Sequence, residues 1–164
     1  MQSGEAAFND FVAARTAALS RTAYLLTGDH HLAEDLLQTA LLQAARHWER
    51  IHTAPEAYVR RVLYNQNVSW WRRRKLRETT LGTYDAAAPA SSPDLRLTLE
   101  EALGRLTAKQ RTVLVLRYFE DLTEVQAAAA LGISAGTVKS MTRQALARLR
   151  VLAPELSELI GATP

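Results

Sequence analysis

Apolar residues recur every three to four positions along most of the chain, which is the spacing of amphipathic helices. The first run contains Phe8, Phe11, Val12, Leu19, Ala23 and Leu26, and it stops at Gly28. A second run, over residues 31–48, places on one face Ala33, Leu36, Leu37, Ala40, Leu41 and Ala44. A third begins after Pro55 and extends to Arg77. No stretch alternates long enough to indicate a strand, so the pattern predicts an all-α fold.

Residues 79–94 interrupt this pattern with two prolines, a glycine and no basic residue. That composition is typical of a flexible linker, which at about 15 residues reaches roughly 50 Å when extended. Helical spacing resumes at Leu95. We therefore expect two small helical domains, residues 5–78 and 95–152, followed by a tail over residues 153–164.

Two helix starts in the second domain have the Thr-x-x-Gln form of a capping box. Thr107 with Gln110 predicts a helix that continues through Val113, Leu116 and Arg117. Thr123 with Gln126 predicts a second, shorter helix, whose apolar positions are Val125, Ala128 and Ala129.

A helix-turn-helix follows from the residues after that short helix. Gly132 suits a left-handed turn, and Ser134 can cap the next helix. On that helix Val138, Met141, Ala145 and Leu149 are expected to face inward, and Gly136, Lys139, Ser140 and Arg143 outward. The spacing fits a DNA-reading helix, although a simple helical hairpin in any bundle would share much of it.

The charge distribution supports contact with a polyanion at two places. The chain has 20 Lys and Arg residues against 17 Asp and Glu residues, a net charge of only +3. However, residues 60–77 carry seven basic side chains and no acidic one, and residues 132–150 carry four basic side chains and no acidic one. Two separate basic segments indicate two nucleic-acid contacts.

The basic segment of the third helix also carries aromatic and amide side chains, including Tyr64, Asn65, Trp70 and Trp71. Such side chains bind unstacked bases, while guanidinium groups bind phosphates. Alternatively, the aromatic pair belongs to the core of the domain, and Arg72, Arg73 and Arg74 form an ordinary solvated helix end.

On the second helix, Asp35, Gln38 and Leu42 share a face away from the apolar one. A mixed face of this kind suits a protein partner, although a single exposed leucine is also common on ordinary surfaces.

Several functional classes are disfavoured by what the chain lacks. It has no cysteine, no Gly-rich phosphate loop and no apolar run near 18 residues, and residues 1–8 do not have the form of a secretory signal. The four histidines, His30, His31, His47 and His52, lack metal-ligand spacing. We expect no metal, cofactor or catalytic activity, no membrane insertion, and a cytoplasmic location.

These motifs, in this order, resemble the extracytoplasmic-function group of RNA polymerase sigma factors, close to its SigE-like subgroup. Residues 33–40 resemble the segment that grips the clamp helices of the polymerase β′ subunit. Residues 57–74 resemble the promoter-melting and −10 helix, and residues 48–55 occupy the place of the loop that reads the captured base. Residues 102–150 resemble the −35-binding domain.

The resemblance implies a role for each of three sets of residues. Contacts to core polymerase fall on Asp35, Gln38 and Leu42. Contacts to the −10 strand fall on Arg50, His52, Arg60, Arg61, Tyr64, Asn65, Trp70, Trp71, Arg72 and Arg73. Contacts to the −35 duplex fall on Ser134, Gly136, Thr137, Lys139, Ser140 and Arg143.

The implied partners are core RNA polymerase, through its β′ clamp helices and β flap, and promoter DNA. Family members are often held by an anti-sigma factor, whose surface the sequence does not indicate. The main alternative is a polymerase-independent regulator that binds an operator through the helix-turn-helix, with the first domain used for dimerisation or sensing.

Overall fold

A computed structural model describes residues 3–51, 53–81 and 95–155. His52, the predicted linker from residue 82 onward and the tail after Glu155 lie outside the described residues. The chain divides into two compact units, Met1–Trp70 and Trp71–Pro164. The described residues form helices joined by short turns and contain no strand, which confirms the all-α prediction. Among these helices, none is long and apolar enough to cross a membrane.

Short-range capping contacts mark the end of the first helix and the start of the second. α1 spans Gly4–Thr27 and ends at Gly28, whose φ of 70° is left-handed and whose N–H donates to the carbonyl of Tyr24. α2 spans His30–Arg46 and is capped by Asp29, whose carboxylate accepts the N–H of Leu32 at 3.0 Å.

The core of the first unit is built from apolar faces of three helices, α1, α2 and α4 (Pro55–Leu81). Their buried apolar residues are Leu19, Ala23 and Leu26, then Ala33, Leu36, Leu37, Ala40 and Ala44, then Val59, Val62, Leu63 and Tyr64. The predicted inner face of α2 is therefore confirmed, except that Leu41 is only half-buried.

Two predicted boundaries in this unit are wrong. The second helix ends at Arg46 instead of Trp48, and Trp48–Ile51 forms a separate turn, α3. α4 continues to Leu81, so the first residues assigned to the linker are helical. In α4, each residue added to the nucleated helix adds a hydrogen bond, which favours its extension as far as Gly82 in the sequence.

The second unit contains four helices in its described part: α5 (Leu95–Arg105), α6 (Ala108–Leu114), α7 (Glu124–Leu131) and α8 (Ala135–Leu152). Both predicted capping boxes are present, at the starts of α6 and α7. One cluster of its core joins α5, α6 and α8 and contains Ala102, Leu106, Leu114, Ala145, Leu149 and Ala153.

The helix that begins at Ala108 does not continue regularly to Arg117 as predicted. A π-helical turn, Val115–Phe119, follows α6. It is continued by hydrogen bonds from the N–H of Glu120 to the carbonyl of Val115 and from the N–H of Leu122 to the carbonyl of Leu116, both 2.9 Å. The Arg117 guanidinium donates to the carbonyl of Leu122, which secures the chain reversal before α7.

The predicted apolar face of α7 is also partly wrong. Ala128 is buried as expected, but Val125 is 70% exposed and Ala129 is exposed. The buried partners of Ala128 are instead Ala127 and Leu131, next to the turn that leads to α8. The buried face of α7 is therefore the one next to the turn into α8, and Val125 and Ala129 lie outside it despite being apolar.

Candidate nucleic-acid and partner surfaces

The turn between α7 and α8 has the geometry of a helix-turn-helix. Gly132 has φ 68°, and its N–H donates to the carbonyl of Ala128. The hydroxyl of Ser134 then accepts the N–H of Thr137 at 3.1 Å and lies 2.8 Å from the hydroxyl of Thr137. Both the predicted left-handed glycine and the predicted serine cap are confirmed, so α8 leaves the turn in a defined direction.

The faces of α8 separate as the sequence predicts. Val138, Ala145 and Leu149 are buried and Met141 is half-buried. The exposed side carries Ser134, Gly136, Thr137, Lys139, Ser140 and Arg143.

Sequence reasoning missed one buried residue of α8, Thr142, which is 9% exposed. Its hydroxyl donates to the carbonyl of Val138 at 2.7 Å, so the polar group is satisfied inside its own helix. A helical wheel places Thr142 about 40° from Val138 and about 20° from Leu149, and this signal could have identified it.

Four cations of α8 project into solvent: Lys139, Arg143, Arg148 and Arg150. None of them forms an ion pair within the described part of the chain. An exposed face with several cations and no acidic residue attracts a polyanion at long range. The second unit therefore presents a helix of suitable shape and charge for a DNA groove.

On α4, the two neighbouring arginines Arg60 and Arg61 differ in their surroundings. The Arg60 guanidinium forms an ion pair with Glu56 at 2.9 Å and donates to the hydroxyl of Thr22 on α1 at 2.8 Å. Arg61 is exposed. Arg60 was predicted to contact DNA, but its guanidinium is held against α1.

Glu56 also accepts a hydrogen bond from Arg15 of α1, so one carboxylate joins two guanidinium groups. The Arg15 hydrogen bond, with a smaller contribution from Arg60, holds the pKa of Glu56 below its ordinary value of 4.5 against the opposing effect of burial. The cluster fixes the first turn of α4 on α1.

The rest of α4 divides into an inner and an outer side. Tyr64, predicted to contact DNA, is 5% exposed and packs in the core, because its position continues the apolar face of Val59, Val62 and Leu63. Asn67 is also buried, at 3% exposure.

The exposed side of α4 carries the polar candidates. Arg61, Asn65 and Arg72 are exposed and fall within about 40° of each other around the helix. Arg73 is exposed as well, and Trp70 and Trp71 are half-buried. The structure thus brings a guanidinium and amide stripe to the surface of this helix.

The connector from α3 to the start of α4 is tied down at its first residue. Trp48 is 9% exposed and meets Phe8 edge-on, with ring centroids 5.2 Å apart, and Phe11 at 5.4 Å. Arg50 is exposed.

The candidate partner surface on α2 is exposed as predicted. Asp35 and Gln38 are exposed, and Leu42 is exposed by 55%. The three side chains lie within about 60° around the helix. They form a contiguous patch of one carboxylate, one amide and one apolar side chain.

Comparison with known families matches both units separately. The profile of Sigma-70 region 2 matches residues 11–77, and that of Sigma-70 region 4 matches residues 102–151. Together these matches include α8 and most of α4.

Individual relatives agree with this assignment. The chain is 43% identical to the RNA polymerase sigma-E factor of Streptomyces avermitilis over 148 residues, which is 87% of this chain and 83% of the relative. It is 35% identical to the ECF RNA polymerase sigma factor SigL of Mycobacterium tuberculosis over 150 residues, covering 85% of each chain.

Solved structures show the same fold. The sigma factor RpoE of Bartonella quintana, crystallised with the anti-sigma factor NepR, aligns with a TM-score of 0.66 and 27% identity, covering 88% of this chain and 95% of that one. CnrH, solved with the cytosolic domain of CnrY, aligns with a TM-score of 0.56 and 23% identity, covering 96% of this chain and 89% of that one.

These matches also decide between the two functional alternatives, because sigma factors select promoters in association with RNA polymerase and do not act as independent operator-binding regulators. With a region 2 unit, a region 4 helix-turn-helix unit and sigma-E relatives at 43% identity, the chain belongs to the extracytoplasmic-function family of RNA polymerase sigma factors.

Proposed function

We propose that the region 2 and region 4 parts of the chain divide promoter recognition between them, with α8 binding the −35 duplex and the region 2 part, which includes α4 to residue 77, holding the opened −10 strand. The observation that carries this proposal is the exposed, acid-free face of α8, on which Lys139, Ser140 and Arg143 project beyond a left-handed turn at Gly132. A B-DNA major groove admits a helix, and lysine or arginine side chains there reach guanine edges or phosphates.

The −10 contacts in this proposal fall on the exposed stripe of α4 and on Arg50 of the connector. The guanidinium groups of Arg61, Arg72 and Arg73 bind phosphates, and the Asn65 amide lies among them, able to bond a base edge. Flipping a base costs a few kcal/mol, which phosphate contacts and stacking on the half-buried Trp70 and Trp71 can offset. Arg60 and Tyr64 serve the interior of the unit in this proposal.

The polymerase contact falls on the α2 patch. Asp35 and Gln38 supply polar contacts to the β′ clamp helices, and the exposed Leu42 supplies the apolar centre that strong interfaces require. The second unit contacts the β flap, as the family resemblance implies.

Regulation by an anti-sigma factor completes the proposal, since the RpoE neighbour was crystallised with one. The activity is binding and not catalysis, and it takes place in the cytoplasm with RNA polymerase. The sigma-factor relatives support both statements.

Measuring the affinity for purified core polymerase tests the α2 patch. Leu42→Ala and Asp35→Ala should each weaken binding to purified core enzyme by about tenfold, because residues at the centre of an interface carry most of its energy. Asp10→Ala is the matched control, since Asp10 is an exposed acidic residue on α1, outside the α2 patch. Equal affinities for all four proteins would remove the α2 patch from the polymerase interface.

A further inference from the structure

One side of α1 holds both ends of the connector between α3 and α4. Phe8, Phe11, Arg15 and Thr22 fall within about 60° of each other around α1. Phe8 and Phe11 both pack against Trp48. Arg15 bonds to Glu56, and Thr22 bonds to Arg60. These four α1 residues, here called the α1 stripe, thus contact α3 and the first two turns of α4.

The contacts at the two ends differ in kind. At the first end, Trp48 packs against two phenylalanine rings and is 9% exposed. At the other, Glu56 accepts hydrogen bonds from Arg15 and Arg60. Between these ends, Arg50 and Thr53 are exposed. In its described part, the connector therefore presents exposed side chains between two ends that are both fixed on α1.

A segment that reads one base must hold its polar groups within a fraction of an ångström, and loops achieve this when packing fixes their ends. From this geometry we infer that Phe8 and Arg15 are positioning residues for −10 base capture. They touch no DNA and act through Trp48 and Glu56. This inference rests on the proposed role of the first unit in holding the −10 strand.

A second property of α1 makes the inference specific to this stripe. Asp10 and Arg21 lie on the other side of the helix and are exposed. They have no ion-pair partner within the described residues. Substitutions at these two positions change the charge of α1 without changing its contacts to the connector, so they are matched controls.

The test uses holoenzyme assembled from core polymerase and the full chain, with single-stranded oligonucleotides that carry the −10 sequence of a promoter identified by start-site mapping. Each base is removed in turn to leave an abasic site. Wild-type holoenzyme should bind the intact strand roughly tenfold more tightly than the strand that lacks the captured base.

Phe8→Ala and Arg15→Ala should each reduce the ratio of intact-strand to abasic-strand affinity severalfold. Asp10→Ala and Arg21→Ala should keep the wild-type ratio. Affinity for the abasic strand and for core polymerase should stay at the wild-type values in all four variants. Phe8→Leu, which keeps part of the packing against Trp48, should restore part of the ratio.

Three outcomes would overturn the inference. If Phe8→Ala and Arg15→Ala keep the wild-type ratio, α1 does not position the connector, although base capture stands. If they weaken binding to intact and abasic strands in parallel, their role is only structural. If the wild-type protein itself shows no base-dependent ratio, the proposed −10 capture fails, and this positioning role fails with it. Because Arg15→Ala removes a side chain that is 40% exposed, it tests the inference even if Phe8→Ala does not fold.

Discussion

Single residues in this protein take different roles from neighbours of the same type because of what they contact. Arg60 and Arg61 are adjacent and both basic, but only Arg60 is held by Glu56 and Thr22. Likewise, Tyr64 is buried and Asn65 next to it is exposed. The family resemblance implies −10 contacts for all four, and in the structure Arg60 and Tyr64 have partners inside the unit whereas Arg61 and Asn65 are exposed.

The Glu56 cluster predicts a pH-dependent contribution to stability. Glu56→Gln should lower the free energy of unfolding at pH 7 by at most about 1 kcal/mol, since the carboxylate is partly exposed and screened by solvent. The pKa of Glu56 in the folded protein lies below its ordinary value of 4.5, so the stabilisation is present above pH 4.5 and is lost as the pH falls through the folded pKa.

Urea unfolding at pH 7 and at pH 3, followed by circular dichroism and tryptophan fluorescence, measures this contribution. The difference between wild type and Glu56→Gln should shrink at the lower pH. Glu34→Gln makes the same change at an exposed residue that forms no ion pair with any described side chain, and it should have little effect at either pH. A Glu56→Gln difference that does not change with pH would exclude an electrostatic role for the cluster.

At the scale of the helices, local sequence signals determine where elements begin and end. Ser3, Asp29, Thr107, Thr123 and Ser134 each accept a backbone N–H at a helix start, and Gly28 and Gly132 end helices in left-handed conformation. These contacts span at most four residues, and most of the helix limits were predictable for that reason.

Features that depend on distant contacts or on irregular backbone were not predictable. The π-helical turn at residues 115–119 contains no glycine or proline that would mark the departure from α-helical backbone. The apolar face of α7 was misplaced because Val125 lies on the side of the helix that none of the described elements covers. The outer face of α8, by contrast, was predictable since its period is regular over the whole helix.

The turn of the helix-turn-helix gives a prediction at this scale. Gly132→Ala should destabilise the second unit by about 1 to 2 kcal/mol, because an L side chain is strained at φ 68°. The added methyl group meets no atom within 4 Å, so the penalty belongs to the backbone alone.

Gly104→Ala is the matched control for this prediction. Gly104 lies in α5, where an added methyl group also has open space, but its backbone is helical, so the substitution should stabilise the unit by about 0.5 to 1 kcal/mol. Thermal unfolding of the two variants measures both effects. Destabilisation of equal size in both would mean that the turn conformation is not the cause.

For the whole molecule, the proposed division of promoter contacts depends on where positive charge is exposed. The region 2 unit presents guanidinium groups beside an exposed asparagine, and the region 4 unit presents cations on the outer face of α8. The net charge of +3 conceals this arrangement, whereas the two acid-free segments of the sequence already indicate it.

Two sets of substitutions should therefore affect transcription in different ways. Arg72→Ala with Arg73→Ala should weaken promoter opening at all promoters and reduce the slope of log affinity against log salt by about 1 to 2, as expected for lost phosphate contacts. Arg143→Ala should instead change which −35 sequences are used, with losses of about 1 to 3 kcal/mol at promoters that need its base contact.

Run-off transcription from a promoter library at several salt concentrations measures both effects. Arg21→Ala, which replaces an exposed arginine on α1 outside both basic segments and the α2 patch, serves as the control and should change neither the salt slope nor the promoter profile. The same promoter profile for the double variant and for Arg143→Ala would contradict the division between the two units.

The central claim is that this chain selects promoters only together with RNA polymerase, and a gel-shift titration tests it most directly. Duplex DNA from a mapped start site is titrated with the chain alone, with core polymerase alone and with both. We predict tight, promoter-specific binding and strand opening only when both are present. Tight specific binding of the duplex by the chain alone would contradict this claim.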